Sequence, residues 1–261
     1  MKQFYVIGNP IKHSLSPKIF NYLFDHFKIA ARYDTKLIKD QNKFCDFITQ
    51  SKNNVSGYNI TSPYKEIAFK IVDEIDGSAK KNKSVNCIKV KDNKLIGYNT
   101  DEYGFSRMIY NNKILLNNNK ILILGYGKVA ETIVYYLIQN SNSHIYIHGR
   151  NKNKIQNFIK KFENKNIRIL DSNCNKMDII INCLSTKINS KNFASLLSYL
   201  PVAKTDIFID LNYVKINLRK ILMNKYISGI DMLIFQAIKS FDLWFGKKSK
   251  INHLEIFKIL K

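Results

Sequence analysis

The spacing of apolar residues along the first hundred positions switches between two periods. QFYVIG is a short apolar run of strand type that ends at Gly8, and GNPIKHSLSP, residues 8 to 17, follows it as a polar loop pinned by two prolines. Beyond that loop Ile19, Phe20, Leu23, Phe24 and Phe27 fall on one helical face, so SPKIFNYLFDHFKI predicts a helix with Ser16 at its N-cap and Pro17 at N1. RYDTKLI predicts a second strand, NKFCDFITQ a helix, VSGYNIT a third strand and YKEIAFKIVDEI another helix. NCIKVKDNKLIGYN reads as a β-hairpin turning at Asp92-Asn93. Strands joined mostly by helices predict an α/β lobe with a mostly parallel sheet.

Near residue 120 the pattern restarts more cleanly. KILILGYG is a buried strand, VAETIVYYLIQN a helix, HIYIHGR a strand and KNKIQNFIKKF a basic helix. MDIIINCLS and DIFIDLNY are further buried strands, with helices expected between and after them. Strand, glycine turn, helix and strand at this spacing predict a Rossmann-type doubly wound parallel sheet. GIDMLIFQAIKSFDLWFG and HLEIFKILK close the chain as helices. The expectation is two α/β lobes with a cleft between them: residues 1–101, then residues 102–235, with the helices of 236–261 packing back on the first lobe.

Composition narrows the class. A chain of 261 residues, 45% hydrophobic, can bury a full core in one large domain or two small ones. MKQFYVIG lacks the pattern of a signal peptide, and no run of 18 apolar residues offers a membrane span. The cysteines Cys45, Cys87, Cys174 and Cys183 show no CxxC spacing, which suits reduced thiols in a cytosolic, cytoplasmic protein. The net charge of +22 taken alone suggests a polyanion as partner. Yet the lysines are scattered among asparagines and isoleucines, without an arginine stripe or interleaved aromatics, as an AT-rich genome would produce without selection for a ligand.

Three constellations carry candidate chemistry. Gly125-x-Gly127-x-x-Ala130 follows an apolar strand and opens a helix, the arrangement that lets backbone amides approach a pyrophosphate. Where an NAD site would offer a carboxylate to the ribose, the chain has Arg150, Lys152 and Lys154, cations suited to an adenosine 2′-phosphate. In GYNITSPYKE, residues 57 to 66, Lys65 is expected in the first turn of a helix, where the macrodipole and any burial favour the neutral amine over the ammonium. SVNCI with Asn86, and GYNTDEYGF with Asn99, Thr100 and Asp101, add polar clusters at strand ends, where open α/β sheets bind ligands.

Together these blocks resemble the shikimate dehydrogenase family through nearly the whole chain. GNPIKHSLSP is similar to the family's opening shikimate loop and GYNITSPYKE to its G-x-N-[VI]-T-x-P-x-K block. SVNCI resembles its A-V-N-T segment, GYNTDEYG its G-x-N-T-D-x-x-G, and GIDMLIFQAIKSFDLWFG its closing G-x-x-M-L-x-x-Q-A helix. The resemblance implies an NADPH-dependent reduction of 3-dehydroshikimate to shikimate, with Lys65 as acid/base beside Asp101. It places Ser14 and Ser16 on the shikimate carboxylate, Thr61, Asn86, Asp101 and Gln236 on the ring hydroxyls, and Asn59 and Tyr213 among the substrate contacts. Cofactor positions carried over are Gly125, Tyr126, Gly127, Lys128, Val129, Gly149, Arg150, Asn151, Lys154, Leu211 and Gly229.

The chain departs from the family pattern at Phe20 for the usual His, at Lys83 for a glycine, in Gly-Tyr-Gly-Lys for G-A-G-G, at Gly149 for the Asn of N-R-T, and at Ser185-Thr186-Lys187 for S-x-G. The expected partners are a small-molecule substrate and NADP, without nucleic acid, membrane or metal, on a monomer or homodimer. The alternatives are a quinate/shikimate dehydrogenase using NAD and a non-catalytic, basic nucleic-acid-binding relative.

Overall fold

The computed structural model describes residues 1–171, 174–184, 200–213 and 221–260. The chain forms two compact units, one of residues 1–108 with 231–261 and one of 109–230.

The first unit is built on a six-stranded sheet ordered β2-β1-β3-β5-β6-β4. Its strands are β1 (Lys2–Gly8), β2 (Ala31–Leu37), β3 (Gly57–Ile60), β4 (Glu74–Ile75), β5 (Cys87–Lys91) and β6 (Lys94–Tyr98). Its helices are α1 (Ser16–His26), α2 (Gln41–Ser51), α3 (Lys65–Ile71), α4 (Gly77–Asn82) and the start of α5 (Asp101–Asn111). The sheet is mixed: β1 runs parallel to β2 and β3, whereas β5 is antiparallel to both β3 and β6. The antiparallel step comes from the hairpin, whose Asp92 and Asn93 both take positive φ (50° and 58°), as a tight two-residue turn requires.

Period-2 alternation gives the sheet two buried faces. Phe4 packs against Phe24 and Trp244 on one, and Ile7 joins Phe44, Ile48, Tyr58 and Tyr64 on the other. The expected helix over YKEIAFKIVDEI stops early. Val72 turns extended (ψ 146°), Asp73 pairs with the backbone of Leu95, and Glu74–Ile75 leave to form β4.

The second unit carries a wholly parallel sheet ordered β12-β11-β10-β7-β8-β9. Its strands are β7 (Lys120–Leu124), β8 (His144–His148), β9 (Ile167–Ile169), β10 (Lys176–Asn182), β11 (Lys204–Asp210) and β12 (Leu222–Ser228), with helices α6 (Lys128–Asn140) and α7 (Lys152–Ile159). This is the doubly wound order, with its switch point between β7 and β10. The helix expected after β10 and residues 185–187 lie outside the described residues.

The C-terminal helices α8 (Ile230–Phe245) and α9 (His253–Leu260) belong to the first unit from Asp231 onward. The units divide at 108/109 and 230/231 rather than at 101/102 and 235/236. The reason is the crossing of α5 and α8, which is so close at Gly104 that a Cβ there would lie 2.7 Å from the Met232 carbonyl oxygen. Among the described residues no helix is long and apolar enough to cross a membrane.

Candidate active site

Strand directions gather the first unit's polar clusters at one end of its sheet. The C-terminal ends of the parallel strands β1 and β3 lead into Gly8–Ser16 and Thr61–Lys65. The reversed β5 enters from Asn86 at that same end, and β6 leaves through Asn99, Thr100 and Asp101.

Lys65 begins α3 and Asp101 begins α5, and the Lys65 Nζ lies 2.6 Å from Asp101 Oδ2. Both side chains are enclosed, 11% and 10% exposed. A carboxylate is favoured at a helix N-terminus and a cation is not, so Asp101 stabilises its own helix while offsetting the cost of Lys65 on α3. The other carboxylate oxygen, Oδ1, accepts from Asn86 Nδ2 at 2.8 Å, and the Asp101 N–H donates to Asn99 Oδ1. The aspartate is therefore held by Asn86 and Asn99, and its remaining strong contact is the amine. An amine so placed can pass a proton to, or take one from, an oxygen brought within hydrogen-bond reach.

The remaining candidates of this unit sort by what they touch. Ser16 is buried and is the first helical residue of α1; Leu15 is the N-cap, with no side-chain cap. The expected N-cap role of Ser16 fails because Leu15 already has helical dihedrals (φ −83°, ψ −7°); Ser14 Oγ instead accepts the Ser16 N–H at 3.3 Å. Gln236 on α8 reaches the site through Thr100, whose hydroxyl donates to Gln236 Oε1 at 3.3 Å. Thr61 is half-buried directly after β3, its N–H held by the Ile7 carbonyl.

Asn59 is only 6% exposed, and its amide is occupied by protein: Oδ1 accepts from the Tyr33 hydroxyl, and Nδ2 donates to the Asn86 carbonyl and to Ser240 Oγ. Tyr33 and Ser240 are residues that motif reading missed. The available signal for Ser240 was a polar residue one turn beyond Gln236 on an apolar helix; Tyr33 in an edge strand gave none. Tyr213 lies in the second unit and is 39% exposed.

The second unit presents the expected nucleotide constellation. Gly125 has φ +106°, a conformation open to glycine, and a Cβ at Gly127 would meet nothing within 4 Å. Helix α6 starts at Lys128 with Gly127 as its N-cap and no side chain capping it, so its first N–H groups face outward at the sheet's switch point. At the end of β8, Arg150, Asn151, Lys152 and Lys154 are exposed, and Asn151 caps α7 by accepting the Lys154 N–H. These features fit an anionic dinucleotide carrying an extra phosphate.

The Tyr126 ring lies across Gly149, where an added Cβ would be 2.7 Å from it, so two departures from the family pattern occupy one space. Lys128 is ion-paired to Glu131, a buried carboxylate that also holds Lys161 at 2.7 Å. Leu211 and Gly229 are in contact, the Gly229 N–H donating to the Asp210 carbonyl. Asp210, in the DLNY stretch where β11 ends, is fully buried; burial pushes its carboxyl up against hydrogen bonds from Asn212, Asn182 and Tyr226.

Comparison with known proteins agrees with this division. Residues 6–88 match the shikimate dehydrogenase substrate binding domain, and residues 109–213 match the shikimate / quinate 5-dehydrogenase family. A shikimate dehydrogenase (NADP(+)) of Pelagibacter ubique is 35% identical over 93% of this chain and 93% of its own length. One from Clostridium beijerinckii is 33% identical over 93% of this chain and 92% of its own. The crystal structure of shikimate dehydrogenase 1 from Peptoclostridium difficile superposes with a TM-score of 0.80 at 26% identity, covering 100% of this chain and 98% of that one. On sequence and fold alike, the chain belongs to the shikimate dehydrogenase family.

Proposed function

We propose that the chain catalyses the reversible, NADP-dependent reduction of 3-dehydroshikimate to shikimate, the family's step in the shikimate pathway toward aromatic amino acids. The carrying observation is the enclosed Lys65–Asp101 pair, 2.6 Å apart at the ligand end of the first sheet. NADP, when bound, supplies or accepts the hydride. The residues of the chain do the rest.

In the reduction direction Lys65 donates a proton to the oxygen that becomes the hydroxyl; in oxidation it removes that proton. Asp101 fixes the amine and accepts from a ring hydroxyl, with Thr61, Asn86 and Gln236 around the others. Ser14 and Ser16 offer hydroxyl donors to the carboxylate near the start of α1. Tyr213, carried by the second unit, is the remaining substrate residue that the family pattern names. The Gly125–Val129 turn receives the pyrophosphate, Arg150 and Lys154 the 2′-phosphate, and Gly149, Asn151, Leu211 and Gly229 line the nucleotide. The protein works in the cytoplasm as a monomer or homodimer without nucleic acid, a placement supported by four free cysteines and by lysines dispersed rather than gathered in a stripe.

The test is absorbance growth at the reduced-nicotinamide band when purified protein receives shikimate and NADP⁺. Faster turnover with NADP⁺ than with NAD⁺ is the expected result. No growth with either cofactor would overturn the reading, and a preference for NAD⁺ would overturn its cofactor assignment.

A further inference from the structure

Tyr33, Asn59, Ser240 and Thr100 form a buried polar seam on the face of the sheet that otherwise holds Phe4, Phe20 and Trp244. Tyr33 is fully buried, its ring stacked on Phe20 (centroids 4.4 Å apart, planes 12° from parallel). Its hydroxyl donates to Asn59 Oδ1 at 2.8 Å. Ser240 is also fully buried and spends its one hydroxyl hydrogen on the Gln236 carbonyl of its own helix, 2.9 Å away. Its oxygen can therefore only accept, which it does from Asn59 Nδ2 at 3.1 Å.

The other Asn59 amide hydrogen goes to the Asn86 carbonyl, again a pure acceptor, so the amide has one permitted orientation. Asn86 in turn accepts the Thr100 N–H on Oδ1 and donates through Nδ2 to Asp101 at 2.8 Å. One end of this chain of bonds is the buried Tyr33 hydroxyl; the other is the Lys65–Asp101 pair.

We propose that Tyr33 and Ser240 are positioning residues for the reaction, acting through Asn59, and that Asn59 is the hub of this network rather than a substrate contact. The proposal rests on the reading of the reaction given above. With no donor left over and 6% exposure, Asn59 has nothing to offer a ligand, but it ties β2, β3, β5 and α8 together directly behind Asn86. Loss of either anchor frees the amide to rotate, which lets Asn86, and with it Asp101, leave the orientation that aims the amine.

Tyr33→Phe keeps the ring stack and removes one oxygen; Ser240→Ala removes the other anchor from a different element, so each covers for failure of the other to fold. Each is expected to lower kcat by about ten- to a hundredfold, the scale set by sub-ångström misplacement in an oriented site, while the KM for shikimate stays at its wild-type value. The double variant should lose little more than either single one, because both act through one amide.

A second readout needs no substrate: reductive methylation of Lys65, followed by mass spectrometry, should quicken several-fold in both variants, with exposed Lys120 of the second unit unchanged. Wild-type kcat and wild-type Lys65 reactivity in folded variants would overturn the proposal, leaving these residues as packing alone. A raised KM with kcat unchanged would overturn it in favour of Asn59 as a substrate contact. A wild-type protein inactive on shikimate would overturn the reading of the reaction, and unchanged methylation would separately overturn the network.

Discussion

Lys65 is an unusual residue for a helix start, and its setting shows why it is there. The cost of a cation on the first turn of α3 is met by one enclosed carboxylate, not by solvent. Lys65→Ala should therefore lose about 10² to 10⁴-fold in kcat while shikimate still binds, since the proton transfer is removed and the surrounding hydrogen bonds are not. Steady-state rates beside a direct shikimate titration check this; a variant with wild-type kcat and raised KM would assign the amine to binding. Arg150 is the corresponding test in the second unit, exposed where β8 ends. Arg150→Ala should weaken NADP binding by roughly thirtyfold, about 2 kcal/mol for a bidentate contact to a charged group, and leave NAD nearly unchanged. Equal loss for both nucleotides, measured by fluorescence titration, would make the arginine structural.

At the scale of elements, the short helix α4 links capping to the site. Asp76 caps it, accepting the Ser78 N–H at 2.9 Å and the Ser78 hydroxyl, and the Ser78 oxygen in turn accepts the Asn99 N–H. Burial works against ionisation of Asp76, but hydrogen bonds from the Ser78 hydroxyl and from the Ser78 and Gly77 N–H groups outweigh it and hold the carboxyl below its usual range. A depressed folded value means the cap stabilises above the unfolded carboxyl's pKa of about 4 and loses that contribution as pH falls through the folded one. Asp76→Ala should cost about 1 kcal/mol at pH 7, and urea midpoints of variant and parent should converge as the pH is lowered below about 4. A constant gap would mean the loss is not electrostatic.

None of this was visible in the sequence, and the pattern of what was visible is physical. Lys65 and Asp101 stood out because each sits in a short local block at a strand end, and β7, α6 and β8 because their apolar period is regular. Tyr33 and Ser240 did not, because their partner Asn59 lies 26 and 181 residues away along the chain. The two-residue β4 and the mostly exposed edge strand β12 escaped because neither presents a buried face to read. The N-cap of α1 fell one residue from Ser16, a displacement local chemistry cannot resolve when Pro17 fits N1 or N2 equally.

Across the whole molecule, charge and cohesion come from different places. A net charge of +22 is spread over a surface that carries exposed ion pairs such as Arg32–Asp34, Lys94–Glu74 and Lys176–Asp206, and pairs of that kind contribute little. Stability rests on the apolar cores, and the uncompensated lysines repel one another. Raising salt from about 0.01 M to about 0.1 M shortens the Debye length from about 30 Å to about 10 Å, so Tm should rise over that range. Over the same range kcat/KM for the anionic substrate and cofactor should fall, as their attraction to the surface is screened. A Tm that falls with salt would show that the exposed pairs outweigh the repulsion.

The ring of Tyr126 lying across Gly149 ties the two positions together, so that a change at either is felt at the other. A side chain at 149 leaves no room for the ring where it now lies, since its first carbon would be 2.7 Å from the ring, and the ring would have to move. Gly149→Asn in the present chain should accordingly weaken NADP binding and lower Tm, whereas the same change made after Tyr126→Ala should do neither. The two positions then behave as one unit: asparagine at 149 is accommodated only where the ring at 126 is absent.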